Sequence, residues 1–503
     1  MISDFITHAT KESKIIDTDQ KFRFINYISN NIDLIMLIMT TFETDDSLTA
    51  TSFNDFYKLK MYSVITNVRR NLNVCFGLDL RNEFYRDLLM VDEDLYKMLC
   101  FNLSRLSKRE FNKDILMNTP GHSISEEEID LLCSYPLIDE FTQVKFDADE
   151  TNTKVVLSIY KAYDCVLKKN RVYIEATGPW YRATWLETTM MQVVYQTLLE
   201  HKLNRLSKSY GVWLYEAMFR CFKSIEYARE KNIYCALFSG RRSGGMVFLM
   251  IQNMMMNHLY YPDRYLGSSS FDCWYFLKDY IEIKPPIGTH AHEISMVFSK
   301  LFNDSDLVLS QLISHYSYYV FANNREKIPM LPDTFGTKAF MRAATSIKIG
   351  RSTFFDTVIS SARQDSGEVE HFSELMNDYG YNSLSIMASE IDTIETLDRV
   401  CEIPNYKSFG AGGFFGDSEK VFERGENISM AVKVVRIYSK DEILYPIKLG
   451  DGHGKVTLDT YLPQIVYKKL ISDAVKISQN TRVNLSVEQS WFETGIRFID
   501  SLV

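Results

Sequence analysis

Short apolar runs alternate with longer amphipathic stretches through the second half of this chain. Seven of these runs end in Gly, Ser, Arg, Asp or His and then lead into a helix-like pattern, and we expect each to be a β-strand. The run ends are Phe238–Arg242, Gly267–Ser270, Gly288–Glu293, Asp333–Phe335, Arg363–Glu368, Ser389–Asp392 and Gly410–Gly413. Alternating strands and helices predict a parallel sheet with helices outside it, and the carboxyl ends of its strands form one rim. All seven clusters are therefore expected on that rim.

The rest of the chain has a different pattern. Residues 1–50 are mixed polar and helical, and from Asp55 to about Tyr135 the spacing of apolar residues is mainly helical. Strand candidates then follow on both sides of the alternating region, and they are Val155–Tyr160, Val172–Ala176, Val432–Tyr438 and Leu444–Lys448. The pattern therefore predicts an α/β protein with additional strands before and after the parallel sheet.

Length, charge and cysteine spacing narrow the class of protein. A chain of 503 residues suits two domains, or a large barrel with a second layer. The formal net charge of -9 argues against a general nucleic-acid binder. Met1–Phe5 lacks the positive charge of a secretory signal. The apolar run Leu34–Met39 is too short to span a bilayer. The eight cysteines form no C-x-x-C pair. We expect a cytoplasmic protein with neither a nucleic-acid nor a membrane partner.

Arg363 and Asp365 lie two positions apart on a predicted tight loop that continues through Ser366 and Gly367. An arginine can donate two hydrogen bonds to pyrophosphate oxygens while an aspartate accepts from a sugar diol, so the pair suits a phosphorylated ribose. A surface salt bridge at a glycine turn is the commoner explanation of such a short motif taken alone. The glycine run at 410–413 favours the functional interpretation, because successive backbone N–H groups can hold a phosphate.

The other candidate residues have two interpretations each. His292, on a rim loop before Glu293, could act as a nucleophile, proton carrier or ligand, whereas His290 is better explained as a structural histidine. A zinc site from these three residues is disfavoured, because neighbouring loop residues fit a metal poorly without further ligands. Arg241 and Arg242 could hold an anionic substrate and a diphosphate, although arginine pairs on loops are usually solvated.

Phe238 ends the strand candidate that begins at Ile233. A ring at the carboxyl end of a strand can stack on an aromatic substrate, although packing in the core is the commoner role of phenylalanine.

In sequence order, these blocks resemble those of nicotinate phosphoribosyltransferases from roughly Asp55 to Lys455. The similar segments are Asp55–Met61 (D-x-Y-K-L-x-M), Gly178–Trp180 with Trp185 and Glu187, Phe238–Arg242 (F-G-x-R-R), Gly288–Glu293 (G-T-x-A-H-E), Arg363–Glu368 (R-x-D-S-G-D), Ser408–Gly412 (S-F-G-x-G), and Val432–Val434 with Lys448 and Leu449. Three features depart from the family. Gly267–Ser270 has serines where the family commonly reads G-T-S-N, Glu368 replaces an Asp, and the extension before Asp55 is longer than in most members.

The resemblance implies a fold. We expect an irregular TIM-like α/β barrel with a second α/β sandwich domain built from N- and C-terminal segments. The corresponding parts of the chain are an N-terminal extension at residues 1–50, an N-terminal α/β domain at 51–177, a barrel-like catalytic domain at 178–430, and C-terminal strands and a tail at 431–503 that return to the N-terminal domain.

The resemblance also implies an activity in NAD salvage. The family joins nicotinate to phosphoribosyl pyrophosphate, forming nicotinate mononucleotide and pyrophosphate, with ATP as co-substrate and Mg²⁺ as cofactor. ATP hydrolysis is coupled through a phosphohistidine, which the resemblance places at His292. A homodimer with shared active sites is implied, in which Tyr57 of one subunit and Phe238 of the other sandwich the pyridine ring.

The remaining roles follow from the same matching of residues. Arg241 and Arg242 would face the nicotinate carboxylate and the pyrophosphate. Asp333 and Asp365 would hold ribose hydroxyls or Mg²⁺, with Arg363 on the diphosphate side. The other substrate-binding residues that the resemblance implies are Ser269, Ser366, Gly367, and, around the 5′-phosphate, Gly410, Gly412 and Gly413.

Two alternatives stay open. The sequence GAGGFF at Gly410–Phe415 resembles nicotinamide-using relatives as much as nicotinate-using ones. Those relatives carry an Asp near the ring that accepts the amide N–H, whereas the Gly267 block has serines, so nicotinate is preferred. An inactive member with a structural or interaction role is the second alternative. The converging charged residues retained in the sequence argue against it, and they are Arg241, His292, Asp333, Arg363 and Asp365.

Overall fold

The computed structural model describes residues 1–14, 18–42, 48–69, 71–164, 168–238, 244–302, 306–389, 391–416, 428–440, 442–448, 450 and 485–503. Arg241 and Arg242, two of the predicted substrate-binding residues, lie outside the described residues.

The described chain is a mixed α/β fold, as predicted. Its helices are α1 Ile2–Glu12, α2 Asp19–Asn30, α3 Ile32–Thr41, α4 Phe56–Arg69, α5 Glu83–Val91, α6 Glu93–Ser104, α7 Lys113–Asn118, α8 Glu126–Cys133, α9 Trp180–Ala183, α10 Leu186–Arg205, α11 Tyr210–Glu230, α12 Met246–Leu259, α13 Phe271–Leu277, α14 His292–Leu301, α15 Leu307–Ser317, α16 Thr337–Ser346, α17 Phe354–Val358, α18 Val369–Asp378, α19 Ile394–Glu402 and α20 Leu485–Asp500. Its strands are β1 Asn73–Leu80, β2 Glu140–Thr142, β3 Val156–Asp164, β4 Lys169–Pro179, β5 Tyr234–Leu237, β6 Tyr265–Ser268, β7 Ile328–Met330, β8 Lys348–Ile349, β9 Ser352–Thr353, β10 Ile359–Gln364, β11 Ile386–Ala388, β12 Tyr406–Ala411, β13 Met430–Tyr438 and β14 Ile443–Leu444.

One sheet has the strand order β14-β13-β1-β4-β3-β2. Its neighbours are antiparallel except β2 and β3, and β13 from the C-terminal part pairs with β1 along its whole length. The helical pattern predicted for Asp55 to Tyr135 is wrong at β1, which lies at the centre of this sheet. Nearly every residue of β1 is buried, so the strand lacks the alternation of apolar and polar positions that would have revealed it.

The second sheet has the order β6-β5-β12-β11-β10-β7, and all its neighbouring strands are parallel. This is the predicted parallel sheet, and each of its six strands leads into one of the predicted clusters, at Phe238, Gly267, Asp333, Asp365, Ser389 and Gly410. In the described part of the chain, β6 and β7 are its two edges. The sheet therefore brings these clusters to one rim, with a gap between its edge strands.

The crossover from β6 to β7 contacts both edges of that gap. The Ile287 N–H donates to the Ser268 carbonyl beside β6 at 2.8 Å, and the His292 imidazole contacts Thr334 just past β7. The strand expected before Gly288 is absent, because residues 281–291 have no regular structure. Pro285 and Pro286 explain this difference, since proline has no N–H to donate to a sheet.

The N-terminal extension packs on helices α11 and α12. Helix α1 lies against α11, where a side chain at Gly211 would overlap the backbone at Met1 and Phe5. The ring of Phe24 lies among the rings of Tyr215, Phe219 and Phe222 of α11. The extension therefore shares an aromatic core with the helix that precedes the parallel sheet in sequence. Among the helices described, none is long and apolar enough to cross a bilayer.

Candidate active site

His292 is the first residue of α14 and is buried. The chain enters this helix through Ala291 in extended conformation, which directs the imidazole toward the rim of the parallel sheet. Nε2 lies 2.9 Å from Oδ2 of Asp365, and Nδ1 lies 2.9 Å from Oγ1 of Thr334. A histidine from the crossover thus contacts the residues that follow two strands of the sheet, β7 and β10.

The electrostatic surroundings of His292 favour the neutral imidazole. Burial and the ammonium of Lys448, 2.7 Å from Nε2, outweigh the nearby carboxylates and lower the pKa of His292 to about 4. Near neutral pH the ring therefore has a lone pair on one nitrogen. A neutral imidazole can act as a nucleophile or accept a proton, whereas an imidazolium can do neither.

Asp365 joins His292 to Arg363. Oδ1 of Asp365 accepts from Nη2 of Arg363 at 2.6 Å and from the Ser389 hydroxyl at 2.8 Å, while Oδ2 faces His292. Burial opposes the ionised carboxylate, but the charges of Arg363 and Lys448 hold the pKa of Asp365 well below its usual range. The carboxylate is therefore charged and fixed in orientation.

Asp333 lies on a 3₁₀ turn, Pro332–Thr334, directly after β7. Its Oδ2 accepts from the Ser366 hydroxyl at 2.7 Å and lies 3.2 Å from the Lys448 ammonium. Burial opposes its charge, yet the neighbouring His292 and Lys448 lower its pKa. The other oxygen, Oδ1, is buried without a hydrogen-bond partner among the residues described. A buried, charged oxygen without a partner is a place where a ligand hydroxyl can donate.

Phe238 and the glycine run form an aromatic wall next to this charged cluster. The guanidinium carbon of Arg363 lies 5.4 Å from the centre of the Phe238 ring, within the range of a cation–π contact. A side chain at Gly410 would overlap this ring, and one at Gly412 would overlap the Phe238 carbonyl. Gly410 therefore leaves room for the ring and Gly412 for the backbone of Phe238, while the contact of these glycines with a phosphate stays a prediction. Gly413 is exposed, and a Cβ there would lie 2.5 Å from Oδ1 of Asp392.

The turn after Asp365 is held by Gln364, whose side-chain amide donates to the carbonyls of Ser366 and Gly367. Gly367 has φ +82°, a conformation that residues with a Cβ rarely adopt. Glu368, which departs from the family pattern, lies 2.7 Å from Arg399 on the surface. The additional methylene of Glu368 is therefore accommodated in a solvated ion pair.

Tyr57 and Ser269 lie where the N-terminal segment meets the end of β6. The Ser269 hydroxyl donates to Asp55, and the Tyr57 ring is buried within the chain, with its hydroxyl donating to Glu187 at 3.2 Å. Gly288 allows close packing here, because a Cβ would lie 2.8 Å from the Tyr57 nitrogen. The substrate contacts expected of Tyr57 and Ser269, and the contact of Tyr57 with a second subunit, stay predictions.

A buried ion cluster lies directly beside His292. Lys58 is within 2.6 Å of both Glu187 and Glu293, and the Trp180 indole N–H donates to the other oxygen of Glu293 at 2.6 Å. Burial raises the pKa of Glu293 against the opposing charge of Lys58. Three of the matched sequence blocks therefore meet at this cluster, which fixes the beginning of α14.

His290 has a structural environment. Its Nε2 lies 3.0 Å from Nε2 of His315, which also accepts from the Leu331 N–H. Burial lowers the pKa of His315 to about 4 and that of His290 well below the usual range. Both rings are thus neutral and pack within the protein.

Lys448 is the site residue that sequence reasoning missed. It had been expected in a strand, Leu444–Lys448, but β14 ends at Leu444 and the following residues extend to the parallel sheet. Lys448 meets His292 across 156 positions of sequence, so no local spacing could pair them. Thr334 and Ser389 were within recognised clusters but had no assigned role. The sequence feature that could have indicated them is a hydroxyl side chain shortly after the end of a strand.

The charged cluster does not fit a resident Mg²⁺ ion. Ligand atoms of His292, Asp333 and Asp365 lie within 4.8 Å of one another. Mg²⁺ prefers an octahedron of oxygen atoms, and here one of three donors is an imidazole nitrogen. The Lys448 ammonium also lies 3.2 Å from Asp333 and 3.6 Å from Asp365, so a divalent ion among these atoms would face another cation at close range.

Solved structures with this fold include three whose names agree with one another. The nicotinate phosphoribosyltransferase of Porphyromonas gingivalis has a TM-score of 0.64 at 17% sequence identity, covering 85% of this chain and 99% of that one. A putative nicotinate phosphoribosyltransferase of Saccharomyces cerevisiae has a TM-score of 0.62 at 18% identity, with 85% and 98% covered. The nicotinate phosphoribosyltransferase of Vibrio cholerae has a TM-score of 0.62 at 15% sequence identity, covering 89% of this chain and 97% of that one.

No protein-family model and no curated protein matches the chain. At these sequence identities the structural likeness concerns the fold. The chain has the fold of nicotinate phosphoribosyltransferases, as its motifs predicted.

Proposed function

We propose that the protein is a nicotinate phosphoribosyltransferase of NAD salvage. The observation that carries the proposal is the convergence of His292, Asp333 and Asp365, with Arg363 and Phe238, from distant segments onto the rim of the parallel sheet. These residues combine fixed carboxylates, a guanidinium and an aromatic ring within one site. That combination suits an activated pentose phosphate beside a flat heteroaromatic acid.

The proposed reaction needs no protein nucleophile. The lone pair of the nicotinate ring nitrogen attacks the anomeric carbon of phosphoribosyl pyrophosphate, and the bond from that carbon to the diphosphate oxygen breaks, with its electron pair leaving on pyrophosphate. Positive charge develops on the ribose and negative charge on the leaving group. The carboxylates of Asp333 and Asp365 are suited to stabilise the positive charge on the ribose. The Arg363 guanidinium is suited to stabilise the negative charge on the leaving pyrophosphate. Holding both substrates in line supplies about 7–11 kcal/mol.

ATP is proposed to phosphorylate His292. A nitrogen of the neutral imidazole attacks the γ-phosphorus, the bond to ADP breaks, and water later cleaves the phosphorus–nitrogen bond to release phosphate. The depressed pKa of His292 supports this step, because only the neutral ring has a lone pair. The position of His292 at the start of α14 also supports it, since the N-terminus of a helix stabilises negative charge.

Mg²⁺ is proposed to enter as the counter-ion of the diphosphate and of ATP, and so belongs to the substrates. The proposal retains a cytoplasmic homodimer with shared active sites. In that dimer, the second ring of the pyridine sandwich would come from Tyr57 of the other subunit.

Nicotinate is preferred over nicotinamide for a chemical reason. The block at the end of β6, Ser268 to Ser270, contains no carboxylate of its own, and the nearby Asp55 already accepts from the Ser269 hydroxyl. The Asp that accepts an amide N–H in nicotinamide-using relatives therefore has no counterpart within this block. An inactive scaffold is the weaker alternative. Oδ1 of Asp333 is buried without a hydrogen-bond partner among the described residues, which is unfavourable unless a ligand donates to it, and a scaffold would gain nothing from this arrangement.

The test is product formation from nicotinate, phosphoribosyl pyrophosphate, Mg²⁺ and ATP, with nicotinamide as the alternative substrate. We expect nicotinate mononucleotide and ADP, and loss of the ATP-dependent part of the rate in His292→Ala. His371→Ala is the matched control, because His371 is exposed on α18. Absence of any mononucleotide from either pyridine would reject the proposed activity.

A further inference from the structure

Lys448 contacts the imidazole and both carboxylates of the His292 site from an element outside the parallel sheet. It follows β14 of the antiparallel sheet, and its ammonium lies 2.7 Å from His292 Nε2, 3.2 Å from Asp333 Oδ2 and 3.6 Å from Asp365 Oδ2. The nearby Gly450 N–H reaches the Thr334 carbonyl at 3.4 Å. The chain on both sides of Leu449 is thus attached to the rim.

The carboxyl groups of the site surround the position of Lys448. Asp333 is buried and Asp365 nearly so, and their Oδ2 atoms lie 3.2 Å and 3.6 Å from the Lys448 ammonium. Arg363 pairs with Oδ1 of Asp365, on the side of that carboxylate away from His292. Among the residues that the structure describes, Lys448 is the cation that faces the inner oxygens of both carboxylates. Without it, these oxygens would present two negative charges to an incoming phosphate.

A divalent cation is the usual way to bring two carboxylates and a phosphate together. Three potential ligand atoms are present at suitable separations, and the ammonium lies against all three. An ammonium donates up to three hydrogen bonds and can exchange a carboxylate for a phosphate oxygen without leaving the site. Lys448 therefore supplies, through a side chain, the positive charge that a metal would otherwise supply.

We propose that Lys448 is the resident counter-ion of this site and a positioning residue for His292, holding the imidazole and both inner carboxylate oxygens where a metal ion would otherwise bind. Its role in turnover rests on the proposed function, in which it keeps His292 in place for phosphorylation by ATP. Its role as counter-ion needs no substrate and can be tested separately.

The first experiment measures Mn²⁺ binding to the substrate-free protein by electron paramagnetic resonance. Lys448→Met leaves one imidazole and two carboxylates without their ammonium, so we expect Mn²⁺ affinity to rise by about tenfold or more relative to the native protein. Lys448→Arg retains a cation and should show no such gain. In Lys448→Met/Asp365→Asn the gain should disappear. Lys440→Met, an exposed change on the same C-terminal segment, is the matched control.

The second experiment measures nicotinate mononucleotide formation with and without ATP. Lys448→Met should reduce the ATP-dependent part of kcat by about tenfold or more, and Lys448→Arg should restore part of it, whereas a purely structural residue would affect both parts alike. Circular dichroism and thermal unfolding establish that each variant is folded. Should Lys448→Met not fold, Lys448→Gln, which keeps a hydrogen-bond donor but no charge, replaces it in both experiments.

Two results would overturn the proposal. One is a folded Lys448→Met protein whose Mn²⁺ affinity equals that of the native protein. The other is a native protein that already binds Mn²⁺ tightly and loses that binding in Asp365→Asn. If the native protein makes no mononucleotide, the proposed function fails, while the Mn²⁺ measurement still decides whether Lys448 is the counter-ion.

Discussion

Single residues define the site through contacts that leave little space. The Phe238 ring packs directly on Gly410 and beside Arg363, and His292 is enclosed by Thr334 and Asp365. A glycine that the sequence predicts to bind a phosphate can therefore have a second role, which is to leave room for an aromatic ring. The size of the side chain at position 410 then decides where the Phe238 ring lies, and so whether a substrate ring can stack on it.

Gly410→Ala tests this role of Phe238. The new methyl group would overlap the ring, so the ring has to move, and overpacking of this kind destabilises a protein by about 1–3 kcal/mol. We expect a higher KM for nicotinate and a lower stability in denaturant unfolding. Lys407→Ala, an exposed change on the same strand, should alter neither quantity. An unchanged KM in Gly410→Ala would show that the position of the ring does not matter for the pyridine.

At the scale of elements, α14 carries the site because its first turn is fixed from both sides. His292 faces the rim, and the neighbouring Glu293 is tied to Lys58 of α4 and to Trp180 of α9. Lys58 also pairs with Glu187 of α10, so one lysine holds two buried carboxylates from different helices. The alignment of α14 thus depends on helices that precede the parallel sheet in sequence.

Lys58→Met removes the lysine and leaves both carboxylates buried. Breaking a buried pair in this way destabilises a protein by about 3–5 kcal/mol. The loss should be largest above the carboxyl pKa values and should diminish as pH falls through them, because protonation removes the unpaired charges. Denaturant unfolding at several pH values measures this, with Lys60→Met on the same helix as control. A loss that does not depend on pH would contradict the charge argument.

Sequence patterns predicted much of this arrangement, and the failures have physical causes. The strand ends at Arg363, Ser389 and Gly410 were predictable because each polar cluster directly follows a short apolar run. Strand β1 was missed because it is buried on both faces. The role of Lys448 could not be predicted, since it depends on how two sheets pack across a long sequence separation.

At the scale of the whole molecule, the two sheets meet at the beginning of α14. The parallel sheet contributes Asp333, Asp365 and Phe238, while Lys448 comes from the segment after β14 of the antiparallel sheet. The fold alone leaves the chemistry open, because one fold can serve several reactions. The charges that both parts of the molecule bring to this site are the stronger argument for binding a phosphorylated ribose.

The most direct test is calorimetric titration of phosphoribosyl pyrophosphate with Mg²⁺ into the native protein, Arg363→Met and Arg399→Met. Arg363 belongs to the site, whereas Arg399 forms an exposed ion pair with Glu368 and Glu370. We predict that the native protein and Arg399→Met bind equally well and that Arg363→Met binds about tenfold or more weakly, since paired charged groups of this kind contribute about 1.5–3 kcal/mol. Equal binding by all three proteins, or no binding by the native protein, would contradict the account.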